Sequence, residues 1–230
     1  MARRALRKID PALDLSRHLK TWDQLPHPWD SGLLFGRAAL LEVEVGSGKG
    51  LFLQSAAVHA PEHNFVGIEI AHKYARFAAA RLAKNALTNA IVVDGDAQRL
   101  FSELLPDDAL AAVHVYFPDP WWKKRHHKRR VMNERFVQAV ARTLAAGGTL
   151  HFWTDVRDYF DATLDLIAKE TPLAGPLEVQ ERWAEHDLDY RTHFERRMRL
   201  GSKPVYRAEF HKEFSSSNVL KPRDDSIPVP

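Results

Sequence analysis

From Leu40 to Ile167 the chain alternates short apolar runs with stretches of helical period, joined by loops of only a few residues. Leu40–Val45 reads as a strand that ends at Gly46-Ser-Gly-Lys-Gly50, and residues 51–59 read as a helix closed by Pro61. Phe65–Ile70 is a second buried strand, and residues 72–86 form an alanine-rich helix with Ala75, Ala78, Ala79 and Leu82 along one stripe. Ile91–Val93 is a brief third strand before Asp94-Gly95-Asp96, and Ala111–Phe117 is a fourth. Phe136, Val137, Val140, Ala141 and Leu144 line one face of a helix that is expected to stop at Gly147-Gly148. Thr149–Trp153 is the fifth strand, and its helix places Phe160, Thr163, Leu164 and Ile167 on one side. Such alternation predicts a parallel sheet with helices on both faces, a fold that binds ligands beyond the carboxyl ends of its strands. The exits carry the glycines, then Glu69, Asp96, Asp119 and Asp155. A packed core alone does not predict an acid at each exit, so the domain reads as catalytic.

At 230 residues the chain fits one domain with extensions. Residues 1–38, with Arg3, Arg4, Arg7, Lys8, Trp22 and Trp29, read as a basic and aromatic arm that packs by its aromatics within reach of a partner. Residues 39–213 form the domain, and 214–230, rich in serine and proline, reads as a disordered tail. Within the domain, Glu178–Trp183 and Pro204–Phe210 are expected as an antiparallel pair at the sheet edge, while Asp189–Arg199 between them is polar and positive. There are no cysteines, which excludes disulfides, thiolate metal sites and a cysteine nucleophile. No metal is expected. The basic N-terminus lacks the apolar core of a signal peptide, and no run approaches the roughly eighteen apolar residues of a membrane span. A soluble, cytoplasmic protein is expected; monomer and homodimer are both open.

The most unusual stretch is Val115–Arg130, VYFPDPWWKKRHHKRR. Proline locks its own φ and keeps the preceding residue out of the α region, so Asp119, between Pro118 and Pro120, should protrude from a fixed corner where a strand ends. Trp121 and Trp122 offer flat faces, and six of the next eight residues are Lys or Arg (Lys123, Lys124, Arg125, Lys128, Arg129, Arg130). The net charge is only +3, so this excess is local and points to an anionic partner at one site. A carboxylate, a stacking surface and an anion-binding tract together suggest chemistry on a nucleobase whose phosphates are held nearby. The plainer alternative is a strand-end loop followed by a solvated basic face.

Three cofactor classes can be weighed on Glu44-Val-Gly46-Ser-Gly48-Lys-Gly50. A P-loop needs a glycine where Val43 stands and a Ser or Thr where Gly50 stands. The dinucleotide spacing is not met, and Glu44, two residues before the first glycine, would repel a pyrophosphate. S-adenosylmethionine carries a sulfonium and an ammonium instead of phosphates, so nearby acids favour it. Glu69 lies roughly twenty residues on, where a ribose-binding acid belongs, and Asp96 is placed to accept from the adenine amino group.

On these residues the chain resembles the bacterial tRNA (guanine-N7-)-methyltransferases, single-subunit enzymes that modify guanosine 46 in the tRNA variable loop. The likeness runs from about Leu40 to Phe210 and is most specific in FPDPWWKKRHHKRR, in Thr154-Asp155, and in Thr192-His-Phe-Glu195 followed by Gly201 and Tyr206-Arg207. It implies a Rossmann-like class I methyltransferase fold, a mostly parallel seven-stranded sheet with helices on both faces. It implies a S-adenosylmethionine site around Glu44, Gly46, Gly48, Glu69, Asp96 and Asp119, with Asp119 the catalytic acid. It further implies substrate contacts from Lys123 and Asp155, and Thr192, His193, Phe194 and Glu195 closing over the target. Arg125, His126, His127, Lys128, Arg129 and Arg130 would contact the tRNA. Members often carry lysine at the position of His193, so this chain lacks a permanent charge there.

Two other readings compete. One is a class I methyltransferase acting on an exocyclic amine, since Pro-Asp-Pro-Trp partly matches the Asn/Asp-Pro-Pro-Tyr/Trp corner of such enzymes. The other is a non-catalytic RNA-binding module on the same fold, which would be expected to have lost a glycine or a strand-end acid; this chain has all of them.

Overall fold

The apolar runs become the central strands of one sheet, as continuous hydrophobic segments do when helices cover both faces. The computed structural model describes residues 6–180 and 190–214, Lys124 by its backbone only. In chain order the elements are β1 (Leu19–Thr21), α1 (Ser31–Phe35), β2 (Leu41–Val45), α2 (Leu51–His59), β3 (Asn64–Glu69), α3 (His72–Lys84), β4 (Ala90–Asp94) and α4 (Ala97–Glu103). They continue with β5 (Leu110–Tyr116), α5 (Glu134–Thr143), β6 (Leu144–Thr154), α6 (Arg157–Glu170), β7 (Ala174–Glu178), α7 (His193–Leu200) and β8 (Tyr206–His211). A 3-10 helix, Lys124–Arg129, carries the basic tract.

The sheet order is β1-β4-β3-β2-β5-β6-β8-β7. All pairs are parallel except those of β8, which runs antiparallel to both β6 and β7. The expected seven strands become eight because the N-terminal arm contributes β1, with Leu19, Lys20 and Thr21 opposite Val92, Val93 and Asp94. A three-residue Leu-Lys-Thr strand has no apolar period to betray it; it forms because the outer edge of β4 otherwise presents unpaired amides and carbonyls. The rest of the arm packs too: Trp22 and Trp29 lie against the core, with the Arg99 guanidinium 3.8 Å from the Trp22 ring centroid.

Side chains alternate along β2. Leu41, Val43 and Val45 enter the larger core beneath α4, α5 and α6, while Glu42 and Glu44 face the opposite side with Phe52 and Tyr116. Two polar side chains thus lie within a buried layer, an expensive placement that must be compensated or used.

Helix α5 ends at Thr143 and β6 starts at Leu144, earlier than the expected stop at Gly147-Gly148. Gly148 is fixed by contact: a Cβ there would lie 2.8 Å from the Ala145 carbonyl oxygen and 2.9 Å from that of Leu110. The antiparallel edge pair is present, but its first strand is Ala174–Glu178 and not Glu178–Trp183, whose last residues lie outside the described ones. The expected tail likewise lies outside them from position 215. Helix α7 arises in the segment read only as polar and positive. Among the described residues no helix is long and apolar enough to cross a membrane.

Candidate active site

Strand connections leave β2 in one direction towards β3 and β4, and from β5 in the other towards β6. This reversal opens a crevice at the carboxyl ends of β2 and β5. A cavity of about 790 Å³ occupies it, walled by Glu44, Gly46, Gly48, Glu69, Asp96 and Asp119, with Thr192, His193 and Phe194 also contributing. That size suits a small-molecule or cofactor site. The four strand-end acids of β2, β3, β4 and β5 therefore share one hollow.

The glycine loop turns the chain from β2 into α2 with the Gly46, Ser47, Gly48 and Gly50 amides already engaged within the protein. Gly46 and Ser47 N–H donate to the Ile68 carbonyl at 2.8 and 3.0 Å, and Gly48 N–H donates to Glu69 Oε2 at 2.8 Å. Glu69 Oε1 accepts from Ala71 N–H at 2.8 Å. Gly50 is left-handed (φ 68°), and a Cβ there would sit 2.8 Å from the Ala78 Cβ, so α3 can close on the loop only over a glycine. A phosphate-binding loop must aim free amides at its ligand; here a carboxylate has taken one of them.

Glu44 is buried and its Oε2 has no hydrogen-bond partner among the described residues. Burial, reinforced by the neighbouring Glu69 charge, pushes its carboxyl up to about 8. Asp96 is exposed, and its side chain caps α4 by accepting from Gln98 N–H at 2.8 Å. An orphaned buried carboxylate, an acid-rich wall and loop amides already engaged fit a cofactor that carries positive charge and no phosphate. They do not fit a nucleotide phosphate.

At the exit of β5 the backbone bends sharply. Phe117 (φ 51°) and Trp121 (φ 47°) both take left-handed conformations on either side of Pro118-Asp119-Pro120, a costly geometry for large side chains that the surroundings must hold. Arg130 is one such support: its Nε donates to the Pro120 carbonyl at 2.8 Å and its guanidinium lies 4.4 Å from the Tyr159 ring centroid. This last residue of the basic tract is turned inward, against the expectation that all of Arg125–Arg130 faces the tRNA. Arg125, Lys128 and Arg129 are exposed. Arg129 also lies on the cavity wall, 5.1 Å from the Trp121 ring centroid. The paired tryptophans divide: Trp121 lines the cavity, whereas Trp122 is 73% exposed.

Across the cavity stands α7. Thr192 caps it, accepting from Glu195 N–H at 3.0 Å, and Phe194 packs on Phe117 with ring centroids 4.9 Å apart. Glu195 does not reach the cavity wall. It is buried, accepts from Arg191 N–H at 2.7 Å, and pairs with Arg199 at 3.3 Å and Arg207 at 3.6 Å. Lys123 and Asp155 also lie off the wall, at the start of the 3-10 helix and just after β6. The Thr-x-x-Glu spacing that begins α7 is itself a helix-start signal, and reading it so would have exposed the helix. Tyr74, Tyr116, Phe117 and Arg197 also line the wall; Tyr74 and Arg197 carry no sequence signal for that role.

Comparison with known proteins bears on family and fold. A family model described as "Putative methyltransferase" matches residues 38–208. A tRNA (guanine-N(7)-)-methyltransferase of Rhodopirellula baltica is 54% identical over 218 residues, 92% of this chain and 80% of that protein. A protein of the same name from Bordetella pertussis is 38% identical, covering 76% of this chain and 69% of its own length. Among solved structures, one titled "Structure of an Antibiotic Related Methyltransferase" superposes with a TM-score of 0.57 at 17% identity, over 77% of this chain and 90% of that one. At that identity the likeness speaks for the fold alone.

Proposed function

The chain belongs to the bacterial tRNA (guanine-N7-)-methyltransferase family, and from that premise we propose that it transfers a methyl group from S-adenosylmethionine to N7 of guanosine 46 in the variable loop of tRNA. The observation that carries this reading is the shared hollow of Glu44, Glu69, Asp96 and Asp119, faced by Phe194 and Trp121. Glu44 would hold the cationic end of the donor, Glu69 would accept from its ribose hydroxyls, Gly46 and Gly48 would let it approach the backbone, and Asp96 would accept from its adenine. When bound, the donor supplies a methyl group activated by an adjacent sulfonium.

The protein's own residues have a lighter task than in most transfers. Guanine N7 has an in-plane lone pair and no proton to lose, so no general base is required. What remains is alignment and the accommodation of positive charge on the 7-methylguanine product. Asp119, exposed on the cavity wall, accepts from guanine N–H groups and stabilises that charge. Asp155, at the neighbouring strand exit, shares the second task. A guanine within folded RNA must be turned out to react; Phe194 and Trp121 provide the flat surfaces, and Thr192 and His193 close the side. Lys123 with Arg125, Lys128 and Arg129 holds the backbone phosphates.

Incubation of the full chain with labelled S-adenosylmethionine and bulk tRNA, followed by nucleoside analysis and mapping of the modified position, tests this. Labelled 7-methylguanosine at position 46 is expected. An N2- or N6-methylated base would instead favour the exocyclic-amine reading, and no labelled product would favour a non-catalytic RNA-binding module.

A further inference from the structure

Arg81 bonds both to the glycine loop and to α7. Its Nε donates to the Lys49 carbonyl at 2.9 Å, its Nη1 to Gln54 Oε1 at 2.7 Å, and its Nη2 to His193 Nε2 at 3.1 Å. It lies one turn beyond Ala78, where α3 presses on Gly50. Burial pulls its guanidinium down from the usual arginine value. Because a guanidinium can only donate, Nε2 of His193 is the acceptor in this bond. Lys49 and His193 both line the cavity, on the cofactor side and the target side respectively.

We propose that Arg81 and His193 form a coupling strut, so that occupation of the cofactor loop sets the position of α7 and with it the affinity for RNA. The proposal rests on the functional reading above and assigns Arg81 as a positioning residue rather than a catalytic one. A ligand seated against Gly46–Lys49 fixes the Lys49 carbonyl, and the rigid planar fork of Arg81 transmits that position to His193. The neighbouring Thr192 and Phe194 are then held where a turned-out base is gripped. Coupling of this kind is reciprocal: RNA must tighten cofactor binding by the same factor.

The test measures the dissociation constant of unmodified bulk tRNA for the full chain with and without saturating S-adenosylhomocysteine. Wild-type protein should bind tRNA at least about fivefold more tightly when the homocysteine compound is present, within the usual range for linked sites. His193→Lys, which sets an ammonium against the guanidinium, should bring that ratio close to one. His193→Gln keeps an acceptor on its amide carbonyl and should preserve most of it. Arg81→Gln should abolish the ratio as well, and the two His193 variants leave α3 intact should Arg81→Gln fold poorly. A wild-type ratio of one, or a ratio unchanged in His193→Lys, overturns the strut. If wild-type protein yields no 7-methylguanosine, the functional reading and this proposal fall together. If it yields the product while the ratio stays unmoved by the variants, the strut alone falls.

Discussion

Two residues apart on β2, Glu42 and Glu44 point to the same side of the sheet and meet opposite fates. Glu42 accepts from His114 Nε2 at 2.7 Å and from His63 Nδ1 at 2.6 Å. Burial pushes its carboxyl up, but these bonds outweigh it and hold it well below the usual range. Burial keeps His114 neutral, so its Nδ1 accepts from the Tyr116 hydroxyl at 2.9 Å. The row continues outward: His114 stacks on His151 with centroids 4.6 Å apart, and His151 donates to Glu209 at 2.9 Å. Glu44, one step nearer the crevice, has an orphaned oxygen and an elevated carboxyl. In the middle of a strand a buried charge is satisfied by neighbours; at the strand's end the same residue type is left for a ligand to satisfy. Arg130, bonded inward, and Arg129, exposed on the wall, repeat the distinction among the cations.

The largest effect should come from breaking the satisfied row. His114→Ala leaves Glu42 buried with one partner fewer and should cost about 3–5 kcal/mol in urea denaturation. A cost below about 1 kcal/mol would mean the row is not holding the sheet together. Next, Asp119→Ala should lower kcat by about 10²–10³, or roughly 3–4 kcal/mol, while tRNA affinity stays within about threefold. Methylation near the normal rate would remove Asp119 from the reacting centre.

Glu44→Gln should act in the reverse sense on stability. A carboxyl raised from 4.5 to about 8 on folding keeps its proton in the folded state while the unfolded chain has lost it, so stability falls as pH rises between those values. At pH 7 the deficit is about 3 kcal/mol. The glutamine variant should recover most of it, lose that slope in a pH series of melts, and bind S-adenosylmethionine about tenfold or more weakly. A flat wild-type profile would show that Glu44 has a partner after all. The smallest effect separates the arginines. Arg125→Gln with Arg129→Gln should reduce the salt slope of tRNA binding by about one to two, whereas Arg130→Gln should leave that slope unchanged and lower the melting temperature.

Much of this was legible in the residues because it follows from period and punctuation. Helix α2 falls where the sequence places it, at Leu51–His59, and β2 to β5 lie within a residue or two of their apolar runs, while β6 begins five residues before its expected start at Thr149. The gathering of strand-end acids in one crevice follows from parallel topology alone. What escaped depends on contacts between distant segments. Strand β1 exists because β4 has a free edge, and α4 and α7 are announced only by Asp96 and Thr192 at their caps. Arg130 and Glu195 sit within motifs that suggest ligand contact, yet each is consumed by a neighbour, Pro120 in one case and Arg199 with Arg207 in the other. Nothing local in the sequence separates a charge that will be satisfied internally from one that will not.

The bond from Gly48 N–H to Glu69 has a consequence for selectivity among the anions of a cell. It installs a resident counter-anion in the cradle that related folds reserve for pyrophosphate. Nucleoside triphosphates and dinucleotides, however abundant, arrive at a berth already taken by the protein itself, and the crevice is kept clear for a visitor of the opposite sign.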